Sequence, residues 1–162
     1  MKRTFLIVAV ALGLSIVGLR AQMQHVDIKD AKGNSVGMAM ISTGKPGGIS
    51  IALDVKSLPP GDHAIHLHAT GVCEPPFTSA GGHFNPGNKK HGMQNPEGHH
   101  AGDMMNFTVA KDGTSKATVN NADVTMETVG GLALVIHATA DDMKTDPSGN
   151  AGDRIACGVV PK

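Results

Sequence analysis

Apolar positions along most of this chain recur every second residue, and turn-forming residues interrupt them at short intervals. His25 to Lys29 reads as a strand, DAKGNS (residues 30–35) as a turn, and Val36 to Ser42 as the next strand. TGKPGG (43–48) turns the chain again before Ile49 to Val55, where Ile49, Ile51, Leu53 and Val55 share one face. SLPPGD breaks the pattern ahead of HAIHLHA (63–69). Asn106 to Ala110 and Ala117 to Val119 flank the hairpin-like turn KDGTS. GLALVIHA (131–138) is the last strong strand, and a Gly/Pro/Asp-rich stretch leads from it to ACGVV (156–160). Helical period is absent after the first residues, and no repeat is visible. Short strands divided by turns predict an all-β fold, an antiparallel β-sandwich or barrel.

Two segments, about Gly71 to Asn106 and about Thr139 to Ala156, are too long to be simple connections. Neither carries enough apolar residues to hold itself in place.

The first residues have a different character. Lys2 and Arg3 precede an apolar stretch from Phe5 to Val17, and Ala21 supplies a small-residue exit. That order describes a secretory signal peptide over residues 1–21, followed by a single domain over 22–162. The apolar run falls short of the roughly 20 residues of a spanning helix, so no stable membrane association is expected after its removal. An uncleaved anchor is the other reading, supported by Leu19 at a position that favours a smaller residue.

Fourteen basic residues balance fourteen acidic ones, and Trp and Tyr are absent. This composition gives neither the basic patch nor the stacking platform of a nucleic-acid binder. In an exported chain, Cys73 and Cys157 are expected to form one disulfide, with free or metal-bound thiols as the other reading. A bridge over so long a loop would restrict the unfolded chain by roughly 4 to 5 kcal/mol in the loop-entropy model.

The candidate chemistry is histidine. In a strand over HAIHLHA, His66 and His68 share one face, about 7 Å of backbone apart, while His63, Ile65 and Leu67 take the other. His63 then reads as a buried, hydrogen-bonded structural residue. His137 ends the strand LALVIH, and by itself it fits an ordinary core or surface histidine as well as a ligand. The segment 82–103 holds His83, His91, His99 and His100 in a run of Gly, Pro and Asn. Within it, H-x7-H-x8-H-x2-D (His83, His91, His100, Asp103) offers three nitrogens and one oxygen, a set that suits tetrahedral zinc. A solvated, weakly metal-binding tract is the alternative. A closed zinc site would supply the folding energy this segment lacks.

The motifs HLHATGVC, SAGGHFNP, KHG, HHAGDMMN, LVIHATADD and GNAGDRIACGVV, in this order, resemble the copper/zinc superoxide dismutase family over nearly all of residues 25 to 160. The length of EPPFTSAGG is similar to that of bacterial members. The resemblance implies an immunoglobulin-like Greek-key fold and two cofactors, copper and zinc. By similarity, copper would be bound by His66, His68, His83 and His137, and zinc by His83, His91, His100 and Asp103. His83 would bridge the two and take part in catalysis. Asp141 would link a copper ligand to a zinc ligand, Cys73 and Cys157 would form the intrasubunit disulfide, and Arg154 would attract the superoxide anion. A surface ion pair with Asp153 is the other reading of Arg154, and Asp142 reads as a solvated charge. The family pattern H-x-G-D selects His100 over its neighbour His99, and neither His99 nor His25 receives a role.

The implied activity is dismutation of superoxide in the periplasm or outside the cell, with a homodimer allowed but no surface assigned to it. The alternative is a non-enzymatic exported copper- or zinc-binding protein used for storage or delivery. Two departures stand out. Ala64 replaces the family's usual glycine, which predicts a small packing adjustment. The second long loop has Lys144 as its one base before Arg154, against Asp141, Asp142, Asp146 and Asp153, which predicts weaker electrostatic steering.

Overall fold

Burial along the first three strands alternates as the sequence does. β1 (Gln24–Asp30) buries Gln24, Val26 and Ile28 and exposes His25, Asp27 and Lys29. β2 (Ser35–Thr43) pairs antiparallel with it, and β3 (Ile49–Val55) pairs with β2 while burying Ile49, Ile51, Leu53 and Val55. Asp30 closes the first hairpin by accepting the Lys32 and Asn34 N–H groups, and Gly33 takes the positive φ (83°) that this turn requires. The computed structural model describes residues 23–162. The leader read at residues 1–21 lies outside the described residues. Among the described residues no helix is long and apolar enough to cross a membrane.

HAIHLHA is two strands, not one. β4 (Gly61–His63) pairs with β6 (Phe107–Val109), whereas β5 (Ile65–His68) pairs with β8 (Ala133–His137). The change of neighbour occurs at Ala64, whose N–H donates to Thr139 O and whose carbonyl accepts from the His137 N–H. The remaining strands are β7 (Ser115–Asn121) and β9 (Arg154–Val159).

All pairings are antiparallel, and the main sheet runs β5-β8-β9-β1-β2-β3-β7. β6 leads into β7 by a tight turn, so the β4–β6 pair closes the curled sheet between β7 and β5. From β3 the chain passes over β7 and β6 to reach β4, which is a Greek-key crossing. The ends of β5 and β8 and the two long loops meet at one side of the resulting barrel.

Its interior is a single cluster containing Val26, Ile28, Ile41, Ile51, Ile65, Leu67, Leu134 and Ile136. β8 departs from alternation, since all five of its residues are buried. Leu134 and Ile136 face the main core, while Ala133 and Val135 pack outside the barrel wall against Phe77, Ala80 and Cys157. The first long loop thus covers β8 from outside. The disulfide expected between Cys73 and Cys157 is formed, with Cα atoms 5.7 Å apart across a sequence separation of 84. It ties that loop to β9.

Candidate metal centre

His66 and His68 stand on the face of β5 opposite Ile65 and Leu67, and both are fully buried. His137 ends β8 at a register shift, where β9 pairs Ala156 with Ile136 and then Arg154 with His137. His83 joins the same wall through an isolated bridge to His68. Potential ligand atoms of His66, His68, His83 and His137 all lie within 4.8 Å of one another.

Hydrogen bonds set the tautomers of this group. His66 Nε2 donates to Asp141 Oδ2 (2.8 Å), His68 Nδ1 to Gly81 O (2.9 Å), and His137 Nδ1 to Gly152 O (3.3 Å). His83 Nδ1 is engaged by Asp103 Oδ1 at 2.8 Å. The opposite atoms, His66 Nδ1, His68 Nε2, His83 Nε2 and His137 Nε2, are buried without a partner. Among the described residues only Gln24 Oε1 and His91 Nδ1 also lack a well-aligned hydrogen bond, and His91 Nδ1 has the Asp103 carboxylate 3.0 Å away. Orphaned buried lone pairs are costly. Four of them converging on one point fit a copper ion, which imidazole suits.

A second group uses the other side of His83. Asp103 Oδ1 lies 2.8 Å from His83 Nδ1, 3.0 Å from His91 Nδ1 and 3.4 Å from His100 Nδ1. Asp103 Oδ2 is held by the Gly92 and His100 N–H groups, which leaves Oδ1 free to point inward. Three nitrogens and one carboxylate oxygen fit tetrahedral zinc.

Asp141 lies between the groups, with Oδ2 2.8 Å from His66 Nε2 and 3.0 Å from His91 Nε2. Asn106 clamps its backbone from both sides: Asn106 Oδ1 accepts the Asp141 N–H, and Asn106 Nδ2 donates to Asp141 O. A Cβ at Gly149 would overlap the Asp141 carboxylate and come within 2.8 Å of His91 Nε2. Asn106 and Gly149 escaped the sequence reading, as did Asn121, which donates to the Ala101 and Asp103 carbonyls. Only the position of Asn106 at the end of HHAGDMMN hints at its use.

The strand-borne histidines and His91 titrate in opposite directions, while burial lowers His100. Burial holds His66 down to about 4, His137 to about 3 and His68 to about 2, so all three are neutral near pH 7. Burial also opposes charge on His91, yet bonds to Asp103 and Asp141 outweigh it and raise His91 to about 9. Burial works against the ionised forms of Asp103 and Asp141 as well. Hydrogen bonds from His83 and His91 hold Asp103 well below the usual carboxylate range, and those from His66 and His91 do the same for Asp141.

Other residues named from the sequence are placed as follows. His63 is buried, with Nδ1 and Nε2 each 2.7 Å from a backbone carbonyl, those of His137 and Pro59. His99 faces Asp123 at an exposed position (2.8 Å), while His100 stands in the cluster. Arg154 donates to Phe77 O and Gly81 O, both at 2.7 Å, instead of pairing with Asp153. It lines a cavity of about 390 Å³ with His83, His100, His137, Pro147 and Gly152. The acids of the second loop are largely committed to structure. Asp141 binds histidines, Asp146 accepts the His91 N–H and pairs with Lys90, and Asp142 accepts the Lys144 and Thr145 N–H groups and Asn150 Nδ2. Asp142 is therefore exposed but does more than face solvent. These bonds fix the carboxylates in place and favour their ionised form, so the loop keeps its negative charge.

A family model described as copper/zinc superoxide dismutase matches residues 35–160. The chain is 49% identical over 147 residues to the Cu-Zn superoxide dismutase 1 of Aquifex aeolicus, covering 84% of this chain and 86% of that protein. Among solved structures it is similar to a superoxide-dismutase-like protein of Bacillus subtilis, with TM-score 0.77, 39% identity, and coverage of 84% of this chain and 97% of that one. It is also similar to the Cu/Zn superoxide dismutase of Brucella abortus, with TM-score 0.76, 30% identity, and coverage of 86% and 99%.

Proposed function

Because this chain belongs to the copper/zinc superoxide dismutase family, we propose that it dismutes superoxide using copper held by His66, His68, His83 and His137, with zinc held by His83, His91, His100 and Asp103. The observation that carries the reading is the convergence of four buried, unpartnered imidazole nitrogens beside a three-nitrogen, one-oxygen set that shares His83.

Bound copper supplies the one-electron exchange by which one superoxide leaves as dioxygen and a second, with two protons, leaves as hydrogen peroxide, while zinc supplies fixed charge. The protein supplies the rest. Arg154, locked on two carbonyls at the cavity wall, keeps a permanent positive charge where the anion enters. The neutral state of His66, His68 and His137 keeps their lone pairs free for a metal at working pH. His83, which lines the cavity and has an unpartnered buried Nε2, would be a ligand to copper and could hold a proton at that atom for transfer to the reduced substrate. Asp141 fixes the orientation of His66 and His91 together, which couples the redox side to the structural side.

The leader at residues 1–21 and the disulfide support an exported enzyme of the periplasm or extracellular space. Cell fractionation that finds the protein in the cytosol with reduced thiols would contradict that placement. Protein loaded with both metals should remove superoxide, and His66→Ala should reduce this to background while the β-sheet circular dichroism persists. Equal activity in metal-free protein would refute the function.

A further inference from the structure

The outer face of the β1–β2 hairpin carries donors of another kind. With Gln24, Val26 and Ile28 turned inward, Met23, His25 and Asp27 lie on the outside of β1. On β2, Ala39 and Ile41 turn inward, so Met38 and Met40 lie outside. The register sets His25 opposite Met40 and Asp27 opposite Met38. Met23 and Met38 are 63% and 41% exposed.

Across this face His25 Nε2 lies 3.2 Å from Met38 Sδ, and His25 Nδ1 lies 3.7 Å from Asp27 Oδ1. Met38 Sδ carries no proton, so in the metal-free chain Nε2–H donates to it. A soft cation taking Nε2 and Sδ together would displace that proton to Nδ1, on the side of the Asp27 carboxylate. An imidazole nitrogen and a polarisable thioether in contact, with Met40 at the register position facing His25, form a donor set for a soft cation. Thioether sulfur selects copper(I) over zinc or oxygen-seeking ions. The clusters around His83 contain no sulfur, and β9 separates β1 from β8 in the sheet.

We propose that this face is a second metal site, which takes one copper(I) ion through His25 Nε2 and the thioethers of Met38 and Met40, with Met23 at its edge. It stands independently of the dismutase reading, since none of its donors belongs to the two histidine clusters.

The test uses the chain from residue 22 onward, with its histidine clusters filled by copper and zinc. It is held reduced by ascorbate without oxygen and titrated with copper(I) against a chromophoric copper(I) chelator. About one further equivalent should be retained, a tenfold excess of zinc should not displace it, and the Met38 and Met40 ε-methyl NMR signals should shift. Met38→Leu with Met40→Leu, conservative changes on an exposed face, should lose that equivalent, and His25→Ala should weaken it at least tenfold. Absence of a further equivalent overturns the site, as does an equivalent that survives in the double Met→Leu variant or is displaced by zinc.

Discussion

The two clusters that meet at His83 differ in what holds their ligands. His66, His68 and His137 project from paired strands whose opposite faces, or neighbouring residues, are locked in the barrel core. His83, His91, His100 and Asp103 all come from one loop between β5 and β6, a stretch whose local fold is mostly turns. The strand-borne group is neutral and would keep its geometry without an ion. The loop-borne group contains a buried carboxylate, and in the metal-free chain the proton on His91 compensates it. Rigid strands therefore suit the ion that must change oxidation state at constant geometry, and the loop suits an ion that organises structure.

The largest separation of the two roles should come from Asp103→Asn. This change takes the charge from the loop-borne set and leaves the strand-borne nitrogens alone. We expect zinc to be lost and the segment 69–106 to become sensitive to limited proteolysis, while the strands resist. Equal protease resistance with and without Asp103 would mean that the loop is held by the disulfide and packing alone.

Asp141→Asn and Asn106→Ala test the link between the clusters. Both should weaken metal affinity by about 10- to 100-fold, the range for groups that orient ligands, with Asn106 acting through Asp141. A metal-exchange assay with a chelator would show it. Unchanged affinity in both variants would make Asp141 a bystander.

A third test is the stability of metal-free protein against pH. The folded value of His91 is raised to about 9, so its contribution is complete below its unfolded value near 6.5 and fades as pH rises through 9. His66, His68 and His137 are depressed to about 4, 2 and 3, so the unfolded chain takes up protons below pH 6.5 that the folded chain refuses. Stability then falls in that direction too. Asp103 and Asp141, also depressed, add stability that is present above about 4 and is lost at lower pH. The denaturation midpoint should peak near pH 6 to 7. A midpoint that climbs steadily to pH 9 would contradict the opposite titration of His91 and the strand-borne histidines.

The smallest effect is expected from Arg154→Gln, which should lower kcat/KM about tenfold or less and flatten its dependence on ionic strength, because a steering charge is screened by salt.

Strands β1 to β3 were legible to within a residue, because each keeps one face in the core and one in water and so prints a period of two. β8 carries the same information less clearly, since loop 69–106 buries its second face and LALVI becomes a continuous apolar run. The break at Ala64 was invisible, because it depends on partners at Thr139 and His137 far along the chain. The same holds for the site. Histidine and aspartate spacing marks the donors, whereas Asn106 and Gly149 matter only through the position of Asp141, which no local pattern encodes. Counting charges in the second loop gives their sign but not their place: Asp142 and Asp146 are acceptors in specific bonds.

The central claim is that one imidazole, His83, belongs to both metal sites. It is tested most directly by loading copper(II) into the strand-borne cluster and cobalt(II) into the loop-borne one, then recording electron paramagnetic resonance. A shared His83 ring, deprotonated at both nitrogens, predicts strongly coupled spins and a quenched copper signal, which returns in His83→Ala. An ordinary isolated copper spectrum in the doubly loaded native protein would contradict the account.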